Sequence, residues 1–180
     1  MFPLIQALHL RIFPVTALHN RTFEYVVPSK LSTNTISTAL IRKWSGDYYL
    51  GLFDEDLPAA QSFTGNSNLW VTPAWRLPVE TDTMFKALPW IKNRLLMNHG
   101  LKTGKCWELG GNYYPSSGST PEKVTPLCFE VLKENSSNTP VTWIRLMDLL
   151  NSITEFQDGH LRIVTFRISH ALGLLTTIKS

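Results

Sequence analysis

The sequence predicts an α/β or α+β sandwich, and three observations carry the prediction. Two β-favouring runs are joined by Ser45-Gly46, apolar side chains recur at helical spacing from Thr83 to His99, and further strand-like runs precede a closing helix near Gly159. A chain of 180 residues, 43% of them hydrophobic, hides roughly 70% of its unfolded surface, enough for a core without metals or disulfides.

The elements follow in order. Met1 to Asn20 is apolar, but His9, Arg11 and Pro14 interrupt it and no small-residue cleavage site follows, so a removed signal peptide is not expected. The lack of acidic residues before Glu24 leaves an organellar transit peptide open. No 18 apolar residues run unbroken, so no membrane span is expected. Residues 1–36 read as an N-terminal segment able to pack against a partner or a second copy, and 37–180 as the main domain.

Thr38–Trp44 and Asp47–Phe53 form a β-hairpin around the two-residue turn. A polar, turn-rich stretch from Asp54 to Asn68 leads to a short strand, Leu69–Thr72, stopped by Pro73. The helix takes Thr83 as N-cap and Gly100 as C′, with Pro89 expected to kink or split it. Strands are expected at Cys106–Gly110, Thr125–Leu132 and Pro140–Trp143, then a short helix at Arg145–Ser152 and a longer one at Gly159–Leu175.

The formal charge of +3 is spread along the chain and never gathers into a run of five, so no nucleic-acid partner is expected. Cys106 and Cys128 lie far apart with no zinc-type spacing and read as small apolar strand residues, which fits a reducing, cytoplasmic setting. The five histidines show no ligand spacing and read as structural or solvent-facing. Neither a Gly-x-Ser-x-Gly elbow nor a phosphate-cradling glycine loop occurs.

The segment from Tyr113-Tyr114-Pro115 through Ser116-Ser117-Gly118 to Glu122, running into Val124–Val131, resembles the loop after the catalytic helix in Nudix hydrolases of the ADP-ribose pyrophosphatase group. Asn98-His99-Gly100-Leu101 resembles the end of a Nudix box. Pro73-Ala74-Trp75-Arg76-Leu77 sits where that family has its Pro-Gly-Gly strand end. The resemblance spans about Ser37 to Leu174. It implies a Nudix-like α/β/α sandwich with a mixed β-sheet, a nucleotide-type small-molecule ligand and a homodimer or protein partner engaged through the N-terminal segment.

Departures from the family pattern decide the expected chemistry. A working box places several carboxylates on its helix, because magnesium takes hard oxygen ligands near a pyrophosphate. Aligned on Gly100, the positions that would carry them are Arg94, Met97 and Asn98, and no carboxylate lies between Thr83 and Gly100. The expected function is therefore binding of a nucleotide diphosphate-type ligand without efficient hydrolysis and without a cofactor. Two alternatives stay open. One is a divergent magnesium-dependent hydrolase of ADP-ribose or a nucleoside-diphosphate sugar, with Glu80, Asp82 and Glu108 supplying oxygens. The other is a non-catalytic structural or regulatory subunit.

Glu122 is the candidate catalytic group, since a loop Glu can orient or deprotonate water. Read as a loop carboxylate, it should accept replacement by Gln with no change in melting temperature. Arg42, Arg76 and Arg94 are candidate phosphate ligands, because a guanidinium pairs bidentately with phosphate oxygens. Trp75, Tyr113 and Tyr114 are candidates for stacking on a base or closing a pocket.

Overall fold

A computed structural model describes residues 10–17, 21–28, 31–57, 60–61, 64–81, 83–115, 121–135 and 140–175, with side chains from residue 32 onward. Strands β1 (Leu10–Ala17) and β2 (Arg21–Pro28) pair antiparallel as a two-stranded sheet. The main sheet is built on β3 (Leu31–Trp44), which runs unbroken through residues 36 and 37. The turn at Ser45 and Gly46 has φ values of 49° and 90°, the left-handed pair that a two-residue hairpin needs, and it returns the chain as β4 (Asp47–Asp56).

Strands β5 (Asn68–Val71) and β6 (Ala74–Pro78) follow. A 3-10 turn, Val79–Thr81, leads into helix α1 (Met84–His99). Thr83 precedes this helix in an extended conformation without a side-chain cap bond, and Gly100 closes it at φ 67°. Pro89 lies inside one continuous helix. Its missing N–H faces the carbonyl of Phe85, which sits on the exposed side where water can satisfy it.

Strands β7 (Leu101–Glu108), β8 (Lys123–Glu134) and β9 (Thr142–Arg145), helix α2 (Leu146–Asn151), a 3-10 turn (Ile153–Glu155) and helix α3 (Gly159–Ala171) complete the described chain. β7 begins directly after Gly100, five residues earlier than the apolar pattern predicts, and α3 stops at Ala171 rather than at Leu175.

The described sheet has the order β5-β4-β3-β8-β7, with β6 also on β3 and β9 also on β4. β3 and β8 are parallel and the other pairs antiparallel, which makes the sheet mixed. Alternation along the strands feeds two cores. Ala39, Ile41, Leu50, Leu52 and Cys128 pack under α2 and α3. Ile36, Leu40, Phe53, Leu127 and Phe129 pack under Ala87, Ile91 and Leu95 of α1. The result is three layers, α/β/α.

One feature of the topology positions the site. β8 holds one edge of β3 from Asn34 to Ile41. The opposite edge is shared: β6 pairs with residues up to Ser37, and β4 pairs from Ile41 onward. The sheet therefore splits at Thr38. The β5–β6 link plugs the gap, with the Thr38 N–H and hydroxyl both donating to the Pro73 carbonyl at 2.9 Å and the Thr72 hydroxyl donating to the Thr38 carbonyl.

Candidate functional site

A polar network lies at this split, beneath the N-terminus of α3. Thr35 and Ser37 are two apart on β3 and so face the same side of the sheet. Arg76, the register partner of Thr35 on β6, reaches Glu122 just ahead of β8. Nη2 of Arg76 is 3.2 Å from Oε2 of Glu122, whose Oε1 accepts from the Thr35 hydroxyl at 2.5 Å. Both oxygens of Glu122 are thus engaged by the chain itself. With only 14% of its side chain exposed, it is no freely solvated loop carboxylate.

Tyr113 ties the loop after β7 to both β3 and α3. Its backbone pairs with Val124, and its hydroxyl donates to Ser37 Oγ at 3.3 Å and lies 2.5 Å from Nδ1 of His160. The Arg167 guanidinium sits 5.4 Å from the Tyr113 ring centroid and donates to the carbonyls of Leu109 and Gly111. Burial pushes the Tyr113 phenol up to about 12. Asp158 caps α3, its carboxylate accepting from Leu161 N at 2.6 Å. Burial raises its pKa, against the pull of hydrogen bonds from Leu161, His160 and Thr72 and of the His160 charge. Glu55 on β4 is also raised, by burial first and then by the nearby Asp158 charge.

The residues singled out from the sequence do not all meet. Arg76, Tyr113 and Glu122 belong to this network. Tyr114 points outward, 59% exposed. Trp75 packs in the α1-side core, 6.1 Å from the His99 ring. Arg42 lies over Trp143 at 4.2 Å with Glu134 3.9 Å away. Arg94 is exposed on α1 with its guanidinium 4.9 Å from the Trp90 centroid. The network was missed in part: His160 is 47 residues from Tyr113, and no local pattern announces a contact across that distance. Asp158 had a readable signal, an Asp just before a glycine and an apolar helical run.

On α1, the positions that the resemblance aligns with a Nudix magnesium site carry no carboxylate. Arg94, Met97 and Asn98 are exposed at the helix positions in question, and none supplies a carboxylate. Glu80 is exposed on the 3-10 turn, and Glu108 at the end of β7 borders a separate cavity of about 380 Å³ with Phe166, Arg167 and His170. Asp82 lies outside the described residues. Among the described residues no three His, Cys, Asp or Glu side chains converge as metal ligands, and no helix is long and apolar enough to cross a membrane.

A further cavity, of about 450 Å³, opens where β5 meets the segment after α2. Asn66, Asn68, Trp70, Ile144, Glu155 and Gln157 are among its walls, and Trp70 is 40% exposed. Amides, a carboxylate and an indole suit a flat heterocycle and a sugar, while among the described residues no Lys or Arg lines it to receive phosphates.

A crystal structure described as an ADP compounds hydrolase matches the chain with a TM-score of 0.62 and 15% identity, covering 91% of this chain and 85% of that one. The fold is Nudix-like. At this identity the likeness concerns the fold alone. No family model matches the sequence, and no curated protein matches it.

Proposed function

We propose that this Nudix-like domain binds a nucleotide diphosphate-type ligand and does not hydrolyse it efficiently. The observation that carries the reading is the surface of α1. Where a metal-dependent member of this fold needs carboxylates, it presents Arg94, Met97 and Asn98. Glu122 supports the same conclusion, since a carboxylate already paired with Arg76 and Thr35 is poorly placed to take a proton from water.

The cavity beside Trp70 is the place for the nucleoside end. The indole stacks on the base, Asn68 and Gln157 meet its edge, and Glu155 accepts from sugar hydroxyls. The phosphates remain at the solvent-facing rim. Calorimetric titration with ADP-ribose tests this, with magnesium and with chelator. Saturable binding of similar affinity in both is expected, weakened roughly 10-fold by loss of one ligand hydrogen bond in Asn68→Ala or Gln157→Ala. Binding that requires magnesium, or that ignores both substitutions, would contradict the reading.

A further inference from the structure

A third cavity also takes Trp70 as a wall. It measures about 330 Å³, at the small end of ligand pockets, and Phe53, Asp54, Glu55, Trp70, His99 and Thr142 are among its walls. Asp54 and Trp70 are register partners on β4 and β5, so carboxylate and indole stand side by side. Phe53 is buried, and the His99 ring packs 4.3 Å from it.

The electrostatics have one sign. Two acidic residues, Asp54 and Glu55, are among the walls, and among the described residues no Lys or Arg is. Neither carboxylate is ion-paired to a described residue. Burial holds the His99 pKa below its usual value, so the imidazole is neutral near pH 7 and adds no competing charge. Glu55 is partly desolvated with Asp158 as a like-charged neighbour, a situation that a positive charge relieves and an anion worsens. A partly exposed indole beside the Asp54 carboxylate attracts a cation by its quadrupole as well as by charge.

We propose that this cavity binds a small organic cation, an alkylammonium or guanidinium group seated against Trp70 and paired with Asp54, with the charge of Glu55 adding to the attraction. The site is separate from the nucleoside cavity, sharing with it the single wall of Trp70, and it stands whether or not a nucleotide binds.

Nuclear magnetic resonance of the Trp indole N–H groups tests the proposal, with the Trp70 signal assigned by Trp70→Phe. The probes are choline, agmatine and 3,3-dimethyl-1-butanol, the neutral carbon isostere of choline. Choline or agmatine is expected to move the Trp70 signal saturably at millimolar concentration, and the isostere to leave it in place. The double variant D54N/E55Q should weaken cation binding roughly 10-fold or more, as expected when cation–π attraction is left without its anionic partners. An equal response to the isostere, an undiminished response in folded D54N/E55Q, or no response of the wild-type signal to either cation would each overturn it. Should D54N/E55Q fail to fold, the wild-type contrast between choline and its isostere decides alone.

Discussion

Arg76 and Glu122 form an ion pair across β3, Nη2 to Oε2 at 3.2 Å, with both side chains largely shielded from solvent. The pair joins β6 to the start of β8 on either side of β3 and places the Thr35 hydroxyl against the same carboxylate. Its worth is that of a charge-assisted hydrogen bond in a sheltered place rather than of a surface ion pair.

Glu122→Gln is therefore expected to cost stability, on the order of 1–2 kcal/mol, contrary to the neutral outcome that a loop position implies. Urea midpoints for Glu122→Gln, Arg76→Gln and the double variant measure it. The double variant should lose less than the sum of the singles. Additive losses would show that the two side chains do not act on one another.

Tyr113→Phe removes the hydroxyl between Ser37 and His160 and should cost about 1–2 kcal/mol for buried partners left unpaired. The pH dependence carries a sign. A folded phenol near 12 against an unfolded one near 10 means that the unfolded chain loses its proton first. The stability this gives is fully present below about pH 10 and is lost as pH rises toward 12. Stability measured from pH 9 upward should fall more gently in Tyr113→Phe than in the wild type.

Asp158 offers a paired comparison. Asp158→Ala loses the cap of α3 and should cost about 1 kcal/mol. Asp158→Asn keeps a capping oxygen and removes the buried charge. Because burial raises the folded Asp158 pKa, the carboxyl favours the fold at acid pH, and that advantage is lost as pH rises through the raised value. Asp158→Asn should accordingly gain on the wild type at pH 7 relative to pH 3, as read from melting temperatures at the two values.

His99 works in the opposite direction. Its folded pKa is lowered by burial, so the unfolded chain takes up a proton first as pH falls below about 6.5. His99→Phe, facing Phe53 and Trp75, should reduce the loss of stability on acidification through this range.

Much of the fold was legible because its signals are local. The Ser45-Gly46 turn fixes the β3–β4 hairpin, and the alternating apolar residues around it sort into the two cores. Ala87, Ile91 and Leu95 fall on one helix face, and Gly100 marks its end. Pro89 does not split the helix, since one lost hydrogen bond on an exposed face does not divide a helix held by those three buried side chains. The site was less legible because Thr35, Tyr113, Glu122 and His160 meet through β-pairing and a returning helix. The cavities beside Trp70 arise where β5 passes close to segments distant in sequence, Pro140–Thr142 for one and Glu155–Gln157 for the other.

The most direct measurement of the central claim is release of AMP from ADP-ribose by the wild-type protein in saturating magnesium or manganese. With α1 offering a guanidinium, a thioether and an amide where carboxylates would hold the ions, product should not exceed the rate without protein. Metal-dependent turnover that survives purification, and that Glu122→Gln abolishes, would contradict the account.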